Sequence, residues 1–368
     1  MRMGTKEKKM ISRGKRILRV VLVILGILIL IVGGYFTYLM VDYHRLEPDI
    51  VLTTDNQQES EVPVGVPLKA VSYNIGFGAY IPDFTFFMDG GVESWARSEE
   101  LCRETVQGAA DYVKDLSADI ILFQEIDVDS TRSYHIDQYR QLQDVFFDYA
   151  STFAVNYDSS FLFYPFTEPH GASYSGIGTF SRFGIRSAVR RKLEIDQSIP
   201  NKFFDLDRCY SVNRIPAENG NYLCIFNVHL TAYGGDESIR TGQFMMLCEE
   251  MEREYKAGNY VICGGDFNQD VTGDSVTYFN GADAYSSWAQ PLQQKYLPDG
   301  FMVCEETTAE CSPSVRDNDI PYTPGTSFVA TVDGFIVSDN VEVIALDNAD
   351  LEFLYSDHNP VVLEFVLK

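Results

Sequence analysis

Residues 20 to 41 read VVLVILGILILIVGGYFTYLMV, twenty-two consecutive positions without a charge. As a helix such a run covers roughly 33 Å, the thickness of a bilayer's hydrocarbon core. Eight basic residues precede it in the first nineteen positions (Arg2, Lys6, Lys8, Lys9, Arg13, Lys15, Arg16 and Arg19), opposed by Glu7 alone. A cleaved signal peptide has a shorter apolar centre and a small-residue cleavage site, which is not seen here, and a buried core helix is seldom so long and uniform. The expectation is an uncleaved anchor in a cell membrane. Its basic flank places the N-terminus in the cytoplasm and everything after residue 41 outside. Residues 1–19 then form a basic cytoplasmic tail, residues 20–41 a transmembrane helix, residues 42–66 a polar stalk and residues 67–368 one large domain.

Set against the chain's net charge of −24, a leader at +7 leaves the remainder at about −31. That balance disfavours long-range attraction to nucleic acid, although a local cationic groove or a bound metal can overcome it. Seven cysteines do not make a disulfide framework. Cys304 and Cys311, which enclose EETTAE, are the one pair placed to bridge in an oxidising exterior.

From residue 68 apolar runs of strand length alternate with helical patterns. LKAVSYNIG (68–76), ADIILFQEI (118–126), SGIGTFSRF (175–183), YLCIFNVHL (222–230), YVICGGDF (260–267), TVDGFIVS (331–338) and PVVLEFVL (360–367) are the candidate strands. A helix is expected after Ser94 as N-cap, with Leu101, Thr105, Ala109, Val113 and Leu116 recurring at helical spacing. A second covers 237–258, with Phe244, Leu247, Met251 and Tyr255 on one face and Gly258 as its stop. Several strands are apolar at nearly every position, so both faces are covered and the class is α/β.

The strands finish in polar groups suited to a phosphate or a divalent cation: Asn74, Glu125, His229, Asp266 with Asn268, and Asp333, while Asp357 and His358 stand just before the last strand. Taken singly, Asn74 reads as a turn residue, His229 as a hydrogen-bonded core histidine, and Asp266 with Asn268 as an Asx turn. Glu125 resists that treatment, because an unpaired carboxylate in a buried run costs several kcal/mol. A phosphoester is anionic, so its hydrolysis needs a cation and donors to gather charge, and a base for water.

Five ordered blocks, SYNIG, FQEID, NVHLTAYG, GGDFNQD and YSDHNPVV, resemble the endonuclease/exonuclease/phosphatase family, over roughly residues 68–368. The resemblance implies a four-layer sandwich, two mixed β-sheets face to face with helices outside, here preceded by one transmembrane helix. It implies Glu125 as metal carboxylate, Asn74 beside it as a direct or supporting metal ligand and a substrate-binding residue, and Asp357 completing the acidic cluster. It further implies His358 as the histidine that polarises water, with Asp333 orienting it. Asp266 and Asn268 would face the scissile phosphate, and His229 would donate to a phosphate oxygen or the leaving group. Arg182 in FSRF matches a recurrent Ser-Arg pair and is carried over as a substrate-binding residue. An oxygen-rich site of this kind suits Mg²⁺, with Mn²⁺ as an alternative. The chain departs from the pattern in VDGFIVS, where Gly334 replaces a larger residue and implies a smaller wall beside Asp333.

The expected function is metal-dependent phosphoester hydrolysis on the outer face of the membrane, with a nucleic acid, a phospholipid or an inositol phosphate as substrate and no protein partner indicated. The aromatic loop at 78–91, with Phe84, Phe86 and Phe87, is placed to cover a substrate, touch lipid or pack on itself. Arg132 and Tyr134 are placed near the same rim. The alternative is a non-catalytic binding module on the same fold. Against it, such a module would have lost part of the set Glu125, Asp266, Asn268, Asp333 and His358, and all five are present.

Overall fold

The computed structural model describes residues 4–199, 202, 206–232, 237–307 and 311–368, with side chains from residue 13 onward. Tyr233 and Gly234 of the NVHLTAYG block lie outside the described residues. The chain forms two units, 1–44 and 45–368. The first is a single helix, α1 (Gly4–Asp42), which begins inside the basic leader with no break at residue 20. It is long and apolar enough to cross a membrane.

Among the described residues the second unit holds two seven-stranded sheets. One runs in the order β1 (Asp49–Val51), β7 (Ser187–Lys192), β8 (Cys209–Pro216), β9 (Tyr222–His229), β10 (Tyr260–Asp266), β14 (Asp333–Ser338) and β11 (Phe301–Val303). The other runs β15 (Val341–Asn348), β16 (Val361–Leu367), β3 (Pro67–Asn74), β4 (Ile120–Asp127), β6 (Gly171–Ser181), β5 (Ala150–Leu162) and β2 (Thr54–Asp55). A small ribbon pairs β12 (Val315–Arg316) with β13 (Val329–Ala330), and the remaining helices are α2 (Glu99–Asp115), α3 (Gln138–Val145), α4 (Glu237–Lys256) and α5 (Ser275–Asn280).

Each sheet has one parallel pair, β3 with β4 and β9 with β10, joined through α2 and α4 respectively. A parallel pair needs such a crossover, and the helix covers the sheet's outer face. Strand alternation then sorts the side chains. Leu68, Ala70, Ile120 and Leu122 point inward and meet Leu223, Ile225, Ile262 and Phe335 of the opposite sheet. Val71, Tyr73, Ile121 and Phe123 point outward to Val106, Ala109 and Val113 of α2 and Leu142 of α3. Val261 and Cys263 do the same toward Phe244, Leu247 and Met251 of α4. Elsewhere the space between the sheets turns polar: Gln124 donates to Asn227 at 2.8 Å, Asn227 to the Gly178 carbonyl at 3.0 Å, and Thr152 to Asn213 at 2.7 Å. Such fully buried donors tolerate few alternative alignments.

Several expectations are corrected. The polar stalk is not a stalk, because Asp49–Val51 and Thr54–Asp55 add edge strands to the two sheets and Val62 is buried beside Ala217. Backbone groups alone suffice to join a free edge, so polar composition does not forbid it. Ser94 is not the N-cap; its hydroxyl donates to the Glu168 carbonyl, and Ser98 accepts from the Leu101 amide instead. Cys304 and Cys311 are both free, Cys304 in the inter-sheet core and Cys311 exposed. The glycines of GGDFNQD, Gly264 and Gly265, are set by close packing. A Cβ on Gly264 would lie 2.3 Å from the Phe335 ring, and one on Gly265, at φ +142°, would lie 2.2 Å from the Val228 carbonyl oxygen. Gly334, paired with Gly265, faces Val271 rather than the cleft, so its smallness leaves the wall unchanged.

Candidate active site

The two parallel pairs end at one rim, and there the antiparallel strand of each sheet begins. β9 ends in His229 and β10 in Asp266, with Asp333 opening β14 directly opposite Asp266. In the facing sheet β3 ends in Asn74 beside Gln124 of β4, and His358 lies just before β16. At this rim opens a cleft of about 980 Å³, counting the solvent at its mouth, lined by Glu125, His229, Asp266, Asn268, Asp357 and His358.

Glu125 reaches this cleft through a backbone irregularity. It sits at φ +55°, where the pairing of β4 with β6 slips between Phe123 and Ile126. Such a bulge re-aims one side chain out of an otherwise buried strand. The side chain is 25% exposed. Its pKa is raised by burial and by Asp357, while Arg132, His358 and Asn74 pull the other way.

Asp266 is buried and its pKa is pushed up to about 7, first by burial and then by the nearby Asp333. Its Oδ1 accepts from the Asn268 amide at 2.8 Å and its Oδ2 from Asn74 Nδ2 at 3.0 Å. Asn268 itself takes φ +51°, and its side chain donates to the Leu230 carbonyl. Phe267 between them points into the core. Asp270 accepts from the amides of Thr272 and Gly273 and holds its own turn, away from the cleft.

His358 Nδ1 lies 2.7 Å from Asp333 Oδ2, and Ser314 donates to the same oxygen at 2.8 Å. Burial opposes charge on the imidazole, but the attraction and hydrogen bond of Asp333, with Asp357 and Asp266 behind, push its pKa up to about 10. Its Nε2 faces Asp266 Oδ2 at 3.9 Å. His229 behaves in the opposite way: burial, and the positive charges of Arg208, His358 and Arg132, hold its pKa well below the usual range. Asn156 Nδ2 lies 3.1 Å from its Nδ1, which leaves the proton on Nε2, 3.6 Å from Asp266 and 3.9 Å from Glu125.

The donor set fits a hard divalent cation. Glu125, Asp266 and Asp357 share one cleft, and among the described residues none forms a salt bridge with Lys or Arg. His358 is a cation close to them, and three carboxylates around one imidazole leave room for a further positive charge. Asp266, Asp333 and His358 offer ligand atoms within 4.8 Å of one another, and Asp333 and His358 are also joined by their own hydrogen bond. Asn74 differs from expectation, since its Oδ1 accepts from the Gly76 amide at 3.0 Å and its Nδ2 faces Asp266 and Glu125. It therefore bridges two carboxylates as a donor. Asp357 accepts from Asn318 at 2.7 Å and from Ser356 at 3.2 Å.

Arg182 is not at the site. It follows β6, whose end pairs with the start of β4, roughly 17 Å of strand from Glu125. Its Nε donates to the Tyr149 hydroxyl. Arg132 does reach the cleft, but Asp127 holds it through Nε and Nη2 while its guanidinium lies 3.8 Å from the Phe77 ring centroid. Tyr134 packs on Trp95. In the aromatic loop Phe84 is buried and Phe86 forms part of the cleft wall. Sequence reasoning missed Asn156, His170, Arg208 and Arg316 at the cleft, none of which lies in a recognisable local pattern.

A fold of two helix-covered mixed sheets with this rim is that of the phosphoesterase and nuclease-type hydrolases. The profile of the Endonuclease/Exonuclease/phosphatase family matches residues 71–335, and the chain belongs to that family. No curated protein matches it by sequence. Among solved structures it is similar to an endonuclease/exonuclease/phosphatase from Beutenbergia cavernae DSM 12333 (17% identity, 82% of this chain and 72% of that one, TM-score 0.54). It is also similar to ANGEL2, a 2′,3′-cyclic phosphatase, in complex with adenosine-2′,3′-vanadate (16%, 86% and 99%, TM-score 0.53). The human Nocturnin catalytic domain with bound sulfate is a third (16%, 86% and 97%, TM-score 0.52). At these identities the likeness is one of fold.

Proposed function

We propose that the chain is a membrane-anchored, metal-dependent phosphoester hydrolase whose catalytic domain lies on the outer face of the membrane. The observation that carries the reading is the Asp333–His358 hydrogen bond at 2.7 Å, with His358 Nε2 turned toward Asp266. Asp333 fixes the ring by its Nδ1, which leaves Nε2 to take a proton from an attacking water. His229, neutral and protonated on Nε2, donates to the phosphate or to the departing oxygen. Asn268 and Asn74 hold Asp266 in place between them. A Mg²⁺ or Mn²⁺ ion held by Glu125, with Asp266 and Asp357 close by, would collect charge on the phosphate oxygens and relieve the pull of the carboxylates on His358. The basic leader before α1 supports a cytoplasmic N-terminus.

The test is hydrolysis by the full chain in detergent micelles with Mg²⁺ or Mn²⁺, assayed on bis(p-nitrophenyl) phosphate, nucleic acid, phospholipid and inositol phosphate. Turnover of at least one, lost in His358→Ala, is expected. Absence of turnover on all four, or an unaffected His358→Ala, would overturn the reading.

A further inference from the structure

Arg208 stands immediately before β8, whose first residue, Cys209, pairs with His229. It is 4% exposed and lines the cleft, yet among the described residues its Nε and Nη1 have no hydrogen-bond partner. Other arginines nearby show what this fold does with a buried guanidinium. Arg190, 1% exposed, donates Nε, Nη1 and Nη2 to the carbonyls of Val155, Glu47 and Asp207. Arg132 is gripped by Asp127, and Arg316 spends both terminal nitrogens on backbone carbonyls, among them Asp317 and Ile81, leaving its Nε alone without a partner among the described residues, whereas Arg208 leaves two. Among the described residues no lysine lines the cleft.

A buried cation with open donors is costly unless an acceptor arrives from outside the chain. The guanidinium fork matches phosphoryl oxygens in geometry and charge. We infer that Arg208 is a substrate-recognition residue that donates Nε and Nη1 to a phosphoryl group entering on the His229 side of the cleft. The inference rests on the phosphoesterase reading and adds to it a second point of grip. Glu125, Asp266 and Asp357 border the cleft, and the charge of Arg208, in the same sheet as Asp266 and two strands away, offsets their repulsion of an anion. Its charge also helps keep His229 neutral.

The test is binding of inorganic phosphate, with Mg²⁺ present, to the full chain in detergent, read by calorimetry and by the phosphate-induced rise in melting temperature. Arg208→Gln is expected to weaken phosphate at least tenfold while melting no lower than the wild type without phosphate. Arg208→Lys, which keeps charge but not the fork, is expected to fall between the two. A structural arginine would show the reverse, a lower melting point with phosphate affinity retained. The inference is overturned if the wild type binds no phosphate, if Arg208→Gln binds it within twofold of wild type, or if neither variant folds. Because the readout is binding, the two readings fail separately. A chain that binds phosphate through Arg208 but hydrolyses nothing sinks the catalytic reading alone.

Discussion

His358 and Asp333 meet at 2.7 Å from opposite sheets: Asp333 opens β14 and His358 leads into β16. The contact that organises the proposed base therefore also joins the two halves of the sandwich.

Replacing Asp333 with Asn keeps the shape but removes the charge behind the imidazole. A fall in kcat of about 10²-fold or more is expected on bis(p-nitrophenyl) phosphate, with the KM nearly unchanged. A loss under tenfold would remove Asp333 from the proposed mechanism.

Chelation should abolish hydrolysis, and added Mg²⁺ or Mn²⁺ should restore it. In Glu125→Gln the metal concentration for half-maximal activity should rise at least tenfold, measured by titrating the chelated enzyme. An unchanged metal requirement would contradict a role for Glu125 in holding the ion.

His170 is buried, and burial together with the charge on Arg132 lowers its pKa from 6.5 to about 3. In the unfolded chain it takes a proton below pH 6.5, whereas the folded chain refuses one until about 3. Its contribution to stability is therefore complete above pH 6.5 and declines as the pH falls toward 3. Between pH 7 and pH 4.5 the loss is about 3 kcal/mol. Urea midpoints at the two pH values should fall less in His170→Asn than in the wild type.

Gly264→Ala should cost about 1–3 kcal/mol, because its Cβ meets the Phe335 ring and Leu122 in the core and those side chains must shift. Gly265→Ala should cost more, because the obstacle is the backbone of β9. Thermal melts of the two variants, in that order of damage, check the assignment.

Cys311 is exposed and the other six cysteines are buried. A membrane-impermeant maleimide applied to intact cells should label the chain once, and Cys311→Ser should lose the label. Labelling that appears only after lysis would place the domain on the inner side.

The strands that were legible, among them β3, β4, β9, β10 and β16, are buried on both faces and so carry continuous apolar runs. β5 and β8 lie beside them but are written in Ser, Thr, Asn and Tyr, because they face the polar layer between the sheets. β1 and β2 join by backbone alone. At the cleft, residues at strand ends could be read because a polar group closing an apolar run stands out. Glu125 was noticed as an anomaly, but its turn toward solvent depends on a positive φ that no spacing announces. Arg182 misled because a short Ser-Arg match says nothing about which end of the sheet it occupies. Arg208 acquires meaning only from what fails to bond to it.

Each sheet contributes the same triplet to the rim, two parallel strands ending and one antiparallel strand starting: β9, β10 and β14 on one side, β3, β4 and β16 on the other. The site is thus a gauge of registry between two slabs. Sliding one slab by a single residue, about 3.3 Å, would exceed the reach of the Asp333–His358 and Asn74–Asp266 hydrogen bonds together while leaving every strand ladder intact. Catalytic competence and sheet alignment are one coordinate in this molecule, so pressure or mild denaturant that loosens the slabs should silence it before its secondary structure melts.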